Sequence, residues 1–141
     1  MGNDESAIPE VISVGATDRE NLRAWYSNYG EYLDILAPGG YDLGITTLDN
    51  TGAKGIASNA EDYLFYDDYA SAFIGTSASA PIVSGMIALL LQSNPSLTRV
   101  EIENLLKNSA DKIGNVPYED SKNIYYGYGK VNLSNLINLA N

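Results

Sequence analysis

Residues 75–91 read "GTSASAPIVSGMIALLL", a small hydroxyl-rich cluster that runs into a long apolar stretch. Ser77 stands where a short strand-like segment, residues 72–74, meets that stretch. If the stretch is a helix, its first turn carries unpaired backbone N–H groups and the positive end of the helix dipole. A serine at such a junction can do either of two jobs. It can cap the helix, a common use of serine. It can also attack a carbonyl carbon while the same N–H groups stabilise the developing oxyanion. Position alone leaves both readings open. Ser71 and Ser79 are weaker candidates, because neither follows a glycine at the strand–helix junction. The segment is not the G-x-S-x-G elbow either, since Ser79 occupies the place of the second glycine.

A nucleophilic serine needs a base, and the sequence contains no histidine, the usual general base near neutral pH. It contains no cysteine, which excludes disulfides and thiolate metal sites. Glu61, Asp62, Asp67 and Asp68 offer carboxylate oxygens of the kind a hard cation such as calcium takes. Their spacing matches no calcium loop, which favours a solvated acidic loop. The net charge of −10 argues against a nucleic-acid partner, which calls for a positive surface. It fits a soluble protein kept apart from others by self-repulsion. The most apolar run, residues 82–91, is too short to span a membrane and is interrupted by Ser84 and Gly85. The opening "MGNDESAIPE" has neither the basic start nor the apolar stretch of a secretory signal.

The elements that must position Ser77 follow from pattern. With 141 residues, 45% of them hydrophobic, the chain can bury one modest core. Residues 9–18, "PEVISVGATD", predict a buried strand and a turn. Residues 33–37 predict a second strand, stopped by Pro38-Gly39-Gly40, and residues 45–47 a third, shorter one. Residues 48–69 read as a long polar loop or hairpin insertion. Residues 78–92 predict a helix that is apolar nearly all round and therefore buried. Thr98 and Glu101 form a capping box for a helix reaching about Asn108, with Val100, Ile102, Leu105 and Leu106 facing inward. Gly127 and Gly129 predict a turn, and residues 131–140 a short amphipathic helix. Eleven tyrosines suit half-buried positions at surfaces or contacts. Buried strands followed by helices predict a layered α/β architecture.

Three ordered blocks carry a family resemblance. "GTSASAPIVSG" resembles the nucleophile segment of subtilisin-like serine proteases, Gly-Thr-Ser-x-Ala-x-Pro-x-Val-x-Gly. Gly75, Thr76, Ser77, Pro81, Val83 and Gly85 match, while Ser79 stands where that family usually has Ala and Ile82 where His is frequent. "VISVGATDRENLRAWYSNYGEYLDILAPGG" is similar to a block of form V-I-x-V-G-A-x-D, F-S-N-x-G, D-x-x-A-P-G, and "YYGYGKVN" to the family's Y-G-x-G-x-V-N. "GND", residues 2–4, resembles the A-G-N-x block whose Asn donates to the oxyanion.

The resemblance implies a three-layer subtilisin-like α/β fold with a mainly parallel sheet, of which residues 1–141 are the C-terminal half as a single partial domain. It implies Ser77 as nucleophile, Asn3 as oxyanion-hole donor, and Gly2, Gly75 and Thr76 as substrate-binding residues. Asp34 lies where some members hold a weak cation site, although a carboxylate bonded to nearby backbone N–H groups serves as well. No cofactor is required, and a structural calcium belongs to the parent protein's repertoire. The implied partners are a peptide or protein substrate and an N-terminal half of the domain carrying the triad Asp and His. A serine without its base is a poor nucleophile, so the chain alone is expected to be inactive. A non-catalytic interaction module or pseudoenzyme that keeps the scaffold is the alternative. Strands that belong inside a larger sheet would become edges, so self-association is expected. Family habit places the parent outside the cell or on its surface.

Overall fold

The computed structural model describes residues 5–40, 44–47 and 73–140. Gly2, Asn3, the four acidic residues Glu61, Asp62, Asp67 and Asp68, and Ser71 lie outside the described residues. After a 3₁₀ turn at Glu5–Ala7, the chain forms strand β1 (Val14–Thr17) and strand β2 (Ile35–Pro38). Three helices follow: α1 (Thr76–Ser93), α2 (Arg99–Ser109) and α3 (Leu133–Ala140).

The two strands pair in parallel, from Val14 opposite Ile35 to Thr17 opposite Pro38. Both read as short runs of small and branched apolar residues, the pattern of strands buried on both faces. β2 is flanked on both sides. The Leu36 N–H donates to the Gly129 carbonyl at 2.8 Å, and the Val131 N–H donates back to Leu36 at 2.8 Å. The outer edge of β1 is met by the returning chain, where the Ala24 N–H donates to the Ala16 carbonyl at 2.9 Å. Ile35 and Ala37 point into one core with Val83, Met86 and Leu90 of α1, Ile102 and Leu106 of α2, and Leu136 of α3.

Local chemistry sets the helix ends. Thr98 and Glu101 close the expected capping box: Thr98 N–H donates to Glu101 Oε2 at 2.8 Å, and Glu101 N–H to Thr98 Oγ1 at 3.3 Å. α3 starts at Leu133, later than the pattern suggested, because Asn132 caps it. The Asn132 side-chain oxygen accepts the Asn135 N–H at 3.0 Å, while Val131 is held beside β2. Gly127 and Gly129 both have positive φ, as the expected turn requires.

Four expectations are corrected. Residues 45–47 form no strand; Ile45 N–H donates to the Phe73 carbonyl at 3.0 Å, without a regular ladder. Phe73 and Ile74, read as strand-like, are irregular for the same reason. Val100 points outward at 54% exposure; Ile102 and Leu106 are the buried positions of α2. α1 is not buried all round. Ser79, Val83, Met86 and Leu90 form its buried stripe with Ala78, whereas Leu89 is 48% exposed. By length and composition alone α1, with a mean hydropathy of 1.2 over 18 residues, would pass as a membrane span. Its packing against β1, β2 and α3 makes it the core helix of this fold.

Candidate active site

α1 begins where β2 ends. The N-cap is Gly75, with φ 123° and ψ 170°, a conformation that side chains resist and glycine tolerates. Its N–H donates to the Gly39 carbonyl at 2.8 Å, tying the helix start to the chain just beyond β2. No side chain caps the helix. Thr76 is therefore the first helical residue and Ser77 the second, so the capping reading of Ser77 does not hold. Ser77 is exposed, and its backbone N–H belongs to the first turn, where no intrahelical acceptor exists. Pro81 lies four residues on and has no N–H to give the Ser77 carbonyl, which loosens the ladder under this one residue.

Ser79, two residues further, faces the opposite way. It is 0% exposed, and its hydroxyl is shared between the carbonyls of Ala37 at 3.2 Å and Pro38 at 3.1 Å. Its role is to fasten α1 onto the end of β2. The contact is close because Gly39 lacks a side chain: a Cβ there would lie 2.5 Å from Ala16 Cβ and 2.8 Å from Ser79 Oγ. Tyr26 completes the clamp, its hydroxyl reaching the Gly39 carbonyl at 2.8 Å and also the Gly40 carbonyl. Burial pushes the Tyr26 phenol above its ordinary pKa, so it stays a neutral donor. Sequence reasoning missed both fasteners. The signal for Ser79 was its register, since it shares the helix face of Val83, Met86 and Leu90.

Gly75, Thr76 and Ser77 thus stand at the start of α1 beside the end of β2, while Gly2 and Asn3 lie outside the described residues. A cleft of about 370 Å³ adjoins this helix start. Thr76 lines it together with Ser6 and Ala7, which closely follow Asn3 in the chain, and with residues of β1 and of the 28–33 loop.

The comparisons agree with this geometry. The family model described as the Subtilase family matches residues 1–129. The chain belongs to the subtilase family. It is 40% identical to subtilisin Savinase from Lederbergia lenta over 122 residues, covering 86% of this chain and 36% of that protein. It is 33% identical over 153 residues to a calcium-dependent protease from Trichormus variabilis, covering 99% of this chain and 23% of that protein. Among solved structures, a protease from Pseudoalteromonas arctica matches with a TM-score of 0.68 and 26% identity, covering 98% of this chain and 38% of that one. This subtilase chain therefore spans well under half the length of these relatives, and its fold is the subtilisin-like α/β fold, present in part.

Asp34 takes the second of its two expected roles. Its Oδ2 accepts the Ser13 N–H at 2.9 Å, and its Oδ1 lies 3.1 Å from the Lys107 ammonium. Among the described residues no group of three or more acidic side chains is arranged to hold a metal ion.

Proposed function

We propose that residues 1–141 form the C-terminal part of a subtilisin-like catalytic domain, and that the protein they serve is a serine endopeptidase. The observation that carries this reading is the exposure of Ser77 in the first turn of α1, with no capping duty, while its neighbour Ser79 is buried and bonded. Ser77 Oγ attacks the peptide carbonyl and loses its proton to a histidine, which passes that proton to the departing amine as the C–N bond breaks and the acyl-enzyme forms. The Ser77 N–H and Asn3 stabilise the oxyanion, and water then hydrolyses the acyl-enzyme. Gly2, Gly75 and Thr76 contact the substrate chain. The sequence has no histidine, so the base and its Asp come from residues beyond these 141, and the chain alone is inactive.

Calcium, where the parent protein uses it, is structural and takes no part in bond breaking. A setting outside the cell or at its surface belongs to the same reading and rests on the family alone. A scaffold retained for binding is the second reading, supported by the missing histidine.

Native and then denaturing mass spectrometry, followed by fluorophosphonate labelling, separates the two. A second chain carrying the base, with label on Ser77, supports the protease. The same result is expected if the base is found upstream in one longer polypeptide. A complete, base-containing protein whose Ser77 takes no label overturns it. Sedimentation of the 141-residue chain reads self-association, which a concentration-independent monomer would exclude.

A further inference from the structure

A relative of this chain is a calcium-dependent protease, and by the family resemblance Asp34 lies where some members hold a weak cation site. The groups around Asp34 do not suit a divalent ion. Calcium takes six to eight oxygen ligands at about 2.3–2.6 Å. Here both Asp34 oxygens are committed, one to the Ser13 N–H and one to the Lys107 ammonium. The pair is largely covered, with side-chain exposures of 14% for Asp34 and 19% for Lys107.

The Lys107 ammonium is held from several directions. Glu103 Oε1 lies 2.5 Å away, and Glu103 Oε2 meets Arg99 Nη1 at 2.6 Å, so charges alternate along the cluster. The Tyr128 ring lies beneath Lys107, with its centroid at 4.9 Å. On the other side, a cavity of about 260 Å³ beside Asp34, Glu31 and Glu103 is walled by Lys122. The Lys122 ammonium donates to the Glu31 carbonyl and sits 5.3 Å from the same Tyr128 ring. A divalent ion entering this cavity would meet the Lys122 ammonium in its wall and an Asp34 carboxylate whose two oxygens already face Ser13 and Lys107.

We infer that the Lys107 ammonium is the resident cation of the Asp34 site, and that this part of the fold is held together without a divalent metal. Burial opposes the Lys107 charge, but the hydrogen bonds it donates to Glu103 and Asp34 outweigh it and hold its pKa above the ordinary lysine value. The internal cation therefore stays charged wherever calcium would bind carboxylates. This inference stands independently of the proteolytic reading.

The test is thermal unfolding of the protein in about 10 mM calcium chloride against excess EDTA. Four forms are compared: unmodified, Asp34→Asn, Lys107→Met and Lys107→Arg. Any calcium-dependent rise in Tm of the unmodified protein comes from elsewhere and persists in Asp34→Asn. Lys107→Met frees one oxygen each of Asp34 and Glu103 and gains a calcium response of several degrees, about 4–8 °C, that the unmodified protein lacks. Lys107→Arg, which keeps the charge, gains none. A calcium response of the unmodified protein that disappears in Asp34→Asn overturns the inference. So does a Lys107→Met variant with no response beyond that of the unmodified protein. If Asp34→Asn does not fold, the contrast between the Met and Arg variants decides alone.

Discussion

The two faces of α1 carry similar residues and serve different ends. Both present serine and alanine, and both include large aliphatic side chains. On the inner face, Ser79, Val83, Met86 and Leu90 are buried against β2, α2 and α3. On the outer face, Ser77, Pro81, Ser84 and Leu89 are exposed. Ser77 and Ser79 differ by two positions, or about 200° around the helix. That rotation separates a hydroxyl presented to solvent from one bonded to the carbonyls at the end of β2. Residue type fixes what a hydroxyl can do, and the face decides which of these it does.

The largest effect expected from breaking this contrast is on chemistry. Ser77→Ala in the base-containing protein should reduce kcat by about 10⁶-fold, the size known for nucleophile loss in a subtilisin rather than one derived from this structure. Its stability should stay within about 0.5 kcal/mol, because the residue is exposed. Peptide turnover and urea unfolding read the two quantities.

The inner face should show the reverse pattern. Leu90→Ala removes a fully buried side chain from the shared core and should cost about 2–5 kcal/mol in urea unfolding. Ser79→Ala should cost less, about 0.5–1.5 kcal/mol, through loss of a buried hydrogen bond. It should leave fluorophosphonate labelling of Ser77 in place, since alanine is the residue this position of the motif usually carries. Loss of labelling with unchanged stability would show that Ser79 sets the geometry of the nucleophile.

The smallest expected effect lies away from α1 and depends on pH. Glu103 has its pKa held below the usual carboxylate value, chiefly by its hydrogen bond with Lys107. A carboxylate depressed in the folded state adds stability above its unfolded pKa of about 4.3. That contribution falls away as pH drops through the lower folded value. Glu103→Gln should therefore flatten the stability profile between about pH 5 and pH 3. Because the pair is partly exposed, the difference should be no more than about 1 kcal/mol. Urea unfolding across that range checks it, and an unchanged acid limb would count against the coupling.

Much of the fold was legible because local signals agree with it. The capping box at Thr98 and Glu101 is a short-range exchange of hydrogen bonds, and it formed as the spacing requires. The runs that became β1 and β2 are apolar and bounded by glycine and proline, so their type could be read although their limits shifted. Residues 45–47 had the right composition for a strand but lacked a regular ladder, which composition does not encode. Val100 lay in an apolar register yet turned to solvent, because the inward direction of α2 depends on where β2 and α3 sit.

The sequence by itself determined the capped start of α2, the glycine before α1, the Gly-Thr-Ser order that follows it and the lack of a histidine base. These are local or compositional properties, complete within a few residues or in a count. Only the tertiary structure decided that Ser77 faces outward while Ser79 fastens α1 to β2, and that Lys107 lies beside Asp34. Those outcomes depend on how helices and strands distant in the chain pack around a common core, where burial sets the direction of each face and the partner of each charge.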